Sequence, residues 1–66
     1  MKILLNGTHH ELLDNSTARD LVEQLGLADK RLAIEVNREI IPRTTYSEHM
    51  LRNNDQVEIV HAIGGG

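Results

Sequence analysis

The segment that most constrains the fold is a short amphipathic helix predicted between Thr17 and Gly26. Thr17 and Asp20 have the spacing of a capping box, in which each side chain accepts a hydrogen bond from the other residue's backbone N–H. Four apolar residues follow at helical spacing and form a single stripe: Ala18, Leu21, Val22 and Leu25. Gly26 ends the helix, because glycine readily takes the left-handed conformation that follows a last helical turn. A helix this short is marginal alone, so its stripe must pack on a sheet.

Two strands are predicted before this helix. They cover residues 2–6 and 8–13, and Asn6-Gly7 between them readily supplies the positive φ angles of a hairpin turn. Alternate residues of a strand point to opposite faces of the sheet, which places Leu4 on the face away from the helix. We therefore expect Leu4 to be exposed if only one face of the sheet is covered.

Three further strands are predicted after the helix. The clearest alternation of apolar and polar residues runs over residues 32–37. Residues 39–41 form a short fourth strand, and Pro42 restricts it to a sheet edge because proline has no N–H for the ladder. The last strand alternates through Val57 and Ile59.

The order of these elements predicts an α+β protein of the β-grasp type. Thr45 and Glu48 have capping-box spacing, which indicates one helical turn before the last strand that places Tyr46 or Leu51 on the core. We expect a mixed four- to five-stranded sheet with one helix packed across it, and the first and last strands parallel in its middle. The predicted core consists of Ile3, Leu5, Leu21, Val22, Leu25, Leu32, Ile34, Val36, Val57 and Ile59.

Composition excludes several classes of function. The 66 residues include no cysteine, carry a net charge of −3 and contain Tyr46 as the only aromatic side chain. The lack of cysteine excludes disulfides and thiolate chemistry, and no apolar run approaches the ~20 residues of a membrane span, so we expect a cytoplasmic protein. Without a basic stripe or aromatic stacking platforms, we expect neither nucleic-acid nor membrane partners.

The histidines and serines do not form a recognisable catalytic or metal-binding motif. The four histidines lack metal-ligand spacing, since two are adjacent on a strand and two lie far apart: His9, His10, His49 and His61. Neither Ser16 nor Ser47 lies in the strand-turn-helix context of a nucleophile, and Ser16 is better placed as a helix cap. We expect no metal site and no nucleophile of the chain's own.

The glycine run at the C-terminus is the most informative segment for function. Gly64, Gly65 and Gly66 have no Cβ to obstruct a narrow slot, so they suit a tail that presents its carboxylate to another protein. We predict a β-grasp domain over residues 1–63 and a flexible glycine tail over residues 64–66. The alternative is a frayed end or a cloning remnant. A carboxylate is inert at neutral pH until its oxygen becomes a leaving group, so its use would require an activating enzyme and a nucleotide.

Motifs along the whole chain carry a resemblance to a known family. They comprise residues 1–7, 33–37 and 39–43, followed by Leu51, Asp55 and the terminal Gly65-Gly66. In these positions the chain resembles the ThiS family of sulfur carriers of thiamine biosynthesis, which are small ubiquitin-like β-grasp proteins.

The resemblance implies a function for the glycine tail. Gly66 would be adenylated by an E1-like enzyme, ThiF, which uses ATP and Mg²⁺, and would then be converted to a thiocarboxylate. Gly64 and Gly65 would thread the tail into the partner's site. The sulfur would come from a donor such as a cysteine desulfurase and pass to the thiazole synthase, ThiG. The chain itself would bind no cofactor and act as a carrier, a co-substrate of its partner enzymes.

Three other readings stay open at this point. The small subunit of molybdopterin synthase also ends in Gly-Gly on a β-grasp fold, although that family is usually longer. A protein-conjugating ubiquitin-like modifier is the second alternative. The third is a β-grasp interaction domain whose glycine tail is incidental.

Strand parity also predicts a docking surface for the activating enzyme. Leu4 and Val60 are expected side by side on the sheet face away from the helix, with Ala62 and Ile41 nearby. Exposed branched side chains on adjacent central strands would form an apolar patch of the kind found at protein interfaces.

Overall fold

The computed structural model describes residues 1–61, and Ala62 to Gly66 lie outside this range. Within it the chain forms five strands, one α-helix and one 3₁₀ turn. In chain order these are β1 (Lys2–Leu5), β2 (Thr8–Glu11), α1 (Ala18–Gln24), β3 (Leu32–Val36), β4 (Glu39–Ile41), the 3₁₀ turn (Arg43–Thr45) and β5 (Gln56–His61).

The hairpin of β1 and β2 forms as predicted, but β2 is shorter than expected. Asn6 and Gly7 take φ angles of 50° and 83°, and Leu5 pairs with Thr8 across a two-residue turn. β2 ends at Glu11, which pairs with Lys2 at the start of β1. The predicted extension to residue 13 is wrong: Leu12 still exchanges backbone hydrogen bonds with Met1 at 2.9 and 2.7 Å, but the Leu13 carbonyl accepts from the Ser16 N–H at 3.2 Å in the turn before α1.

The ends of α1 follow the predicted capping signals. Thr17 Oγ1 accepts a hydrogen bond from the Asp20 N–H at 3.2 Å, and Asp20 Oδ2 accepts one from the Thr17 N–H at 2.9 Å. Gly26 lies just beyond the helix with a φ of 73°, and the Leu27 N–H donates back to the Val22 carbonyl at 2.8 Å. Both ends of the helix are therefore fixed by local sequence. No helix within residues 1–61 is long and apolar enough to cross a membrane.

The sheet has the strand order β2-β1-β5-β3-β4. β1 and β5 are parallel and the other neighbouring strands are antiparallel. β4 lies at an edge, as the position of Pro42 predicts. With α1 joining the two halves of this sheet, the topology is the predicted β-grasp arrangement.

The core lies between α1 and one face of the sheet. Six of the predicted core residues are buried: Ile3, Leu21, Val22, Ile34, Val36 and Val57. Four others pack against the core while remaining half-buried: Leu5, Leu25, Leu32 and Ile59. Further buried apolar residues complete it: Leu12, Ala18, Ile41, Tyr46 and Leu51.

The segment between β4 and β5 differs from its prediction in one respect. The 3₁₀ turn covers Arg43–Thr45 instead of beginning at Thr45. The Thr45 hydroxyl donates to the Pro42 carbonyl at 2.8 Å, so it closes this turn and does not cap a later one. Tyr46 and Leu51 are both buried, which satisfies the predicted role of the segment in covering the core.

Candidate functional site

The candidate site is the end of β5, which leads into the glycine tail. The tail residues predicted to be modified or threaded, Gly64, Gly65 and Gly66, lie outside the described residues, as does Ala62. What the structure describes is the base from which they continue, the strand Gln56–His61.

β3 holds one side of this base along its whole length. The antiparallel register pairs Val36 with Val57 at one end and Leu32 with His61 at the other. Backbone pairing with β3 therefore continues to the last described residue of β5.

On the opposite side, the side chain of Asn6 continues the pairing where β1 ends. Leu5, the last residue of β1, pairs with Val57, and the Asn6 N–H donates to the Val57 carbonyl at 2.9 Å. The Asn6 side chain then bonds to the next backbone groups of β5 that point toward the β1 side of the sheet. Its Oδ1 accepts from the Ile59 N–H at 2.9 Å, and its Nδ2 donates to the Ile59 carbonyl at 3.4 Å. A side-chain amide carries the same donor and acceptor as a peptide group, so Asn6 takes the place of another strand residue.

A second asparagine holds the other end of β5. The Asn37 N–H donates to the Gln56 carbonyl at 2.7 Å, and its Oδ1 accepts from the Gln56 N–H at 3.0 Å. Its Nδ2 donates to Asp55 Oδ1 at 3.0 Å. We call Asn6 and Asn37 the asparagine clamps. Both have positive φ angles in two-residue turns, a conformation that asparagine tolerates better than most residues.

The predicted arrangement of the docking surface requires correction. Leu4 pairs with Gln56, so Val60 shares its face but lies four residues further along β5, about 13 Å away. The two side chains are therefore not side by side. Leu4 is also half-buried instead of exposed, since it lies between His9 on β2 and Gln56 on β5. Ile41 is buried on the helix side of the sheet and does not belong to this surface.

The exposed apolar patch on this face consists of Val60 and two residues that were not predicted, Ala33 and Ile40. Val60 is 60% exposed and pairs with Ala33, which is also exposed. Ile40 is 70% exposed and pairs with Glu35, the next residue of β3 on the same face as Ala33. We call Ala33, Ile40 and Val60 the sheet patch. Ala33 and Val60 lie near the end of β5 from which the tail continues, and Ile40 is level with Glu58 in the middle of that strand.

Ala33 and Ile40 were missed by the sequence prediction, although a signal for Ile40 exists. Asn37-Arg38 is a two-residue turn with φ angles of 51° and 71°. Such a turn pairs the flanking residues Val36 and Glu39, as observed. That register turns Ile41 inward and Ile40 outward.

The N-cap of α1 is Thr17, so the expectation that Ser16 caps this helix is wrong. His10 Nε2 lies 2.6 Å from Gln24 Oε1, and the Ser16 hydroxyl donates to the Leu13 carbonyl at 2.7 Å in the turn before α1. Within residues 1–61, no three histidine, aspartate or glutamate side chains come together as metal ligands.

Comparison with known proteins identifies the family. The model of the ThiS family matches residues 3–66. The sulfur carrier protein ThiS of Escherichia coli is 30% identical over 66 residues, and the alignment covers the whole of both chains. The chain belongs to the ThiS family. This assignment favours the carrier of thiamine biosynthesis over the molybdopterin-synthase subunit considered above.

Two further relatives of this ThiS-family chain add to the comparison. The crystal structure of ThiS from Geobacter metallireducens has a TM-score of 0.85 and covers all of both chains at 23% sequence identity, which supports the β-grasp fold. A thiazole synthase of Magnetococcus marinus is 42% identical over 66 residues. That alignment includes 100% of this chain but only 20% of the thiazole synthase, so the chain spans about a fifth of that relative's length.

Proposed function

We propose that this ThiS-family chain is a sulfur carrier of thiamine biosynthesis whose Gly66 carboxylate is converted to a thiocarboxylate. The observation that carries the proposal is the end-to-end alignment with the Escherichia coli sulfur carrier protein ThiS, since the family match includes the glycine run. The chain acts as a co-substrate of partner enzymes and is not itself the catalyst.

The first step is activation of the carboxylate. A carboxylate oxygen of Gly66 attacks the α-phosphorus of Mg²⁺-bound ATP in an E1-like enzyme of the ThiF type, and pyrophosphate leaves. The resulting acyl adenylate has AMP as a leaving group, which the free carboxylate lacks. ATP and Mg²⁺ belong to the activating enzyme.

The second step introduces sulfur. The terminal sulfur of a persulfide, supplied by a donor such as a cysteine desulfurase, attacks the acyl carbon and AMP leaves. A thiol then cleaves the S–S bond, which leaves the thiocarboxylate on Gly66 and a disulfide on the donor side. Gly64 and Gly65 allow the tail to enter a narrow slot, because they place no Cβ beside the reacting carbonyl.

The third step transfers the sulfur to a thiazole synthase of the ThiG type. The thiazole synthase of Magnetococcus marinus supports this partnership, because a segment 42% identical to this chain forms part of the same polypeptide. A carrier joined covalently to its acceptor has a high effective concentration at it.

The fixed base of the tail and the sheet patch suit this role. Residues 62–66 reach at most about 17 Å beyond His61, so an enzyme that holds Gly66 must sit close to the end of β5. The sheet patch begins near that end with Ala33 and Val60 and offers exposed apolar surface for docking. We propose that the activating enzyme covers it.

Intact-mass analysis tests the proposal. Incubation of the chain with the E1-like enzyme, Mg²⁺-ATP and a persulfide source should raise its mass by the difference between sulfur and oxygen. The matched control lacks only Gly66 and should show neither this shift nor carrier-dependent exchange of pyrophosphate into ATP. Equal thiolation of the two proteins would refute the role of Gly66.

A further inference from the structure

A cavity of about 160 Å³ lies between α1, the loop that follows it and the 3₁₀ turn. Its lining includes the apolar side chains Val22, Leu27 and Leu32. A volume of this size accommodates one side chain or a comparable small group. The cavity is on the helix side of the molecule and is separate from the sheet patch.

The charge around this cavity is unlike that of the chain as a whole. Arg19, Lys30 and Arg43 line it, which are three of the seven lysines and arginines in a chain of net charge −3. No acidic residue among residues 1–61 lines it. Arg19 is paired with Glu23 at 3.0 Å, whereas neither ion pair found within residues 1–61 uses Lys30 or Arg43. Tyr46 and Ser47 also line the cavity and carry hydroxyl groups.

The cavity lies close to the end of β5. Leu32, one of its lining residues, pairs with His61, the last described residue of that strand. A protein interface of ordinary size covers about 800 Å² on each partner, equivalent to a disc of radius about 16 Å. An enzyme that holds the end of β5 from both sides of the sheet therefore reaches the cavity and its cationic rim as well as the sheet patch.

We propose that the cavity receives one acidic side chain from the enzyme that activates the tail. This inference rests on the proposed function. A carboxylate complements Lys30 and Arg43, and the apolar lining complements the hydrocarbon part of the inserted side chain. Complementary charge at the rim of an interface raises the rate of association and fixes the orientation of the partners. The cavity would thus direct the activating enzyme to the end of the chain that carries Gly66.

Charge reversal on the full-length chain tests this contact. Arg43→Glu and Lys30→Glu change exposed side chains, so both variants should keep the unfolding midpoint of the parent. The matched control is Arg52→Glu, which makes the same change in net charge at an exposed site near the start of β5. The assay is exchange of pyrophosphate into ATP by the E1-like enzyme, with the carrier concentration varied at two salt concentrations.

We expect each cavity variant to raise the KM for the carrier about tenfold or more at low salt, with kcat unchanged. Arg52→Glu should stay within about threefold of the parent. The salt dependence of KM should be steep for the parent and weaker for Arg43→Glu, because fewer charges are screened. Because two separate variants are measured, a local folding defect in one of them would not by itself produce the expected result.

If the parent is adenylated normally and the cavity variants have the same KM for the carrier as Arg52→Glu, the proposal is overturned. Binding of a free anion such as acetate, or of a second copy of the chain, in the cavity would not rescue the proposal in that case. A parent chain that supports no exchange at all would instead refute the proposed function, and this inference would fail with it.

Discussion

Replacement of Asn6 tests the clamp that continues the pairing of β5 beyond β1. Asn6→Asp keeps the acceptor oxygen that holds the Ile59 N–H at 2.9 Å and loses the Nδ2 donor to the Ile59 carbonyl. Asn6→Gly loses both groups and still tolerates the φ of 50° that this turn requires. Comparison of the two variants therefore separates the effect of the side-chain hydrogen bonds on stability from the effect of the backbone conformation.

The expected losses follow from the two distances. A hydrogen bond contributes about 0.5–1.5 kcal/mol net, and the 3.4 Å contact exceeds the usual N–H···O range, so the lost donation in Asn6→Asp should cost little by itself. The carboxylate oxygen that replaces Nδ2 also repels the Ile59 carbonyl oxygen, and we expect a total loss of about 0.5–1 kcal/mol at this exposed site. Asn6→Gly loses the 2.9 Å bond as well and adds freedom to the unfolded chain, for a total of about 1–2 kcal/mol. A domain of this size has about 3–5 kcal/mol of stability, so this loss is substantial.

Two measurements follow the effect. Equilibrium unfolding in urea gives the free energy of unfolding of each variant. Amide hydrogen exchange isolates the bond itself, because the Ile59 N–H loses its acceptor in Asn6→Gly. The Gln56 N–H is the internal control, since it donates to the other clamp, Asn37 Oδ1, at 3.0 Å. In Asn6→Gly, the hydrogen-exchange rate of the Ile59 amide should rise more than that of the Gln56 amide.

Two results would contradict this reasoning. If Asn6→Asp lost as much stability as Asn6→Gly, the acceptor bond to Ile59 would not be the stabilising element. If the Ile59 amide of Asn6→Gly exchanged no faster relative to Gln56 than in the parent, the side chain would not hold the strand.

Three further predictions concern the core, a strained turn and the sheet patch. Ile34→Ala removes a fully buried side chain and should lower the free energy of unfolding by about 2–5 kcal/mol, whereas Leu25→Ala, at a half-buried position, should lose about half as much. Equal losses of the two variants in urea unfolding would argue against this difference in packing. Arg38→Gly should raise stability by about 1 kcal/mol because Arg38 has a φ of 71°, and a lower urea midpoint would count against that strain. Val60→Asp changes a side chain that is 60% exposed, so it should keep the fold and weaken binding to the activating enzyme in a titration; unchanged affinity would exclude Val60 from the docking surface.

Local signals in the sequence predicted the elements that depend on local chemistry. The bounds of α1 follow from the Thr17 and Asp20 capping box and from Gly26, which act over one turn of the chain. The edge position of β4 follows from Pro42, because the missing N–H is a property of that one residue.

The alignment of β1 with β5 could not be predicted in the same way. Alternation assigns Leu4 and Val60 to one face, but it does not give their separation along the strands. That separation is set by where Leu4 meets Gln56, which depends on the packing of the long crossover between the two strands. The cavity was missed for a similar reason, since Lys30 and Arg43 are brought together only by the tertiary fold.

The position of β5 in the middle of the sheet has a mechanical consequence for a chain that is held by its tail. A pull on Gly66 acts along β5, and the hydrogen bonds to β1 and β3 lie across that direction on both sides. Bonds loaded in shear share the force, so they must fail together instead of opening one after another. The asparagine clamps add their bonds at the two ends of the same strand. If an enzyme holds Gly66 as proposed, tension on the tail therefore loads the bonds on both sides of β5 together.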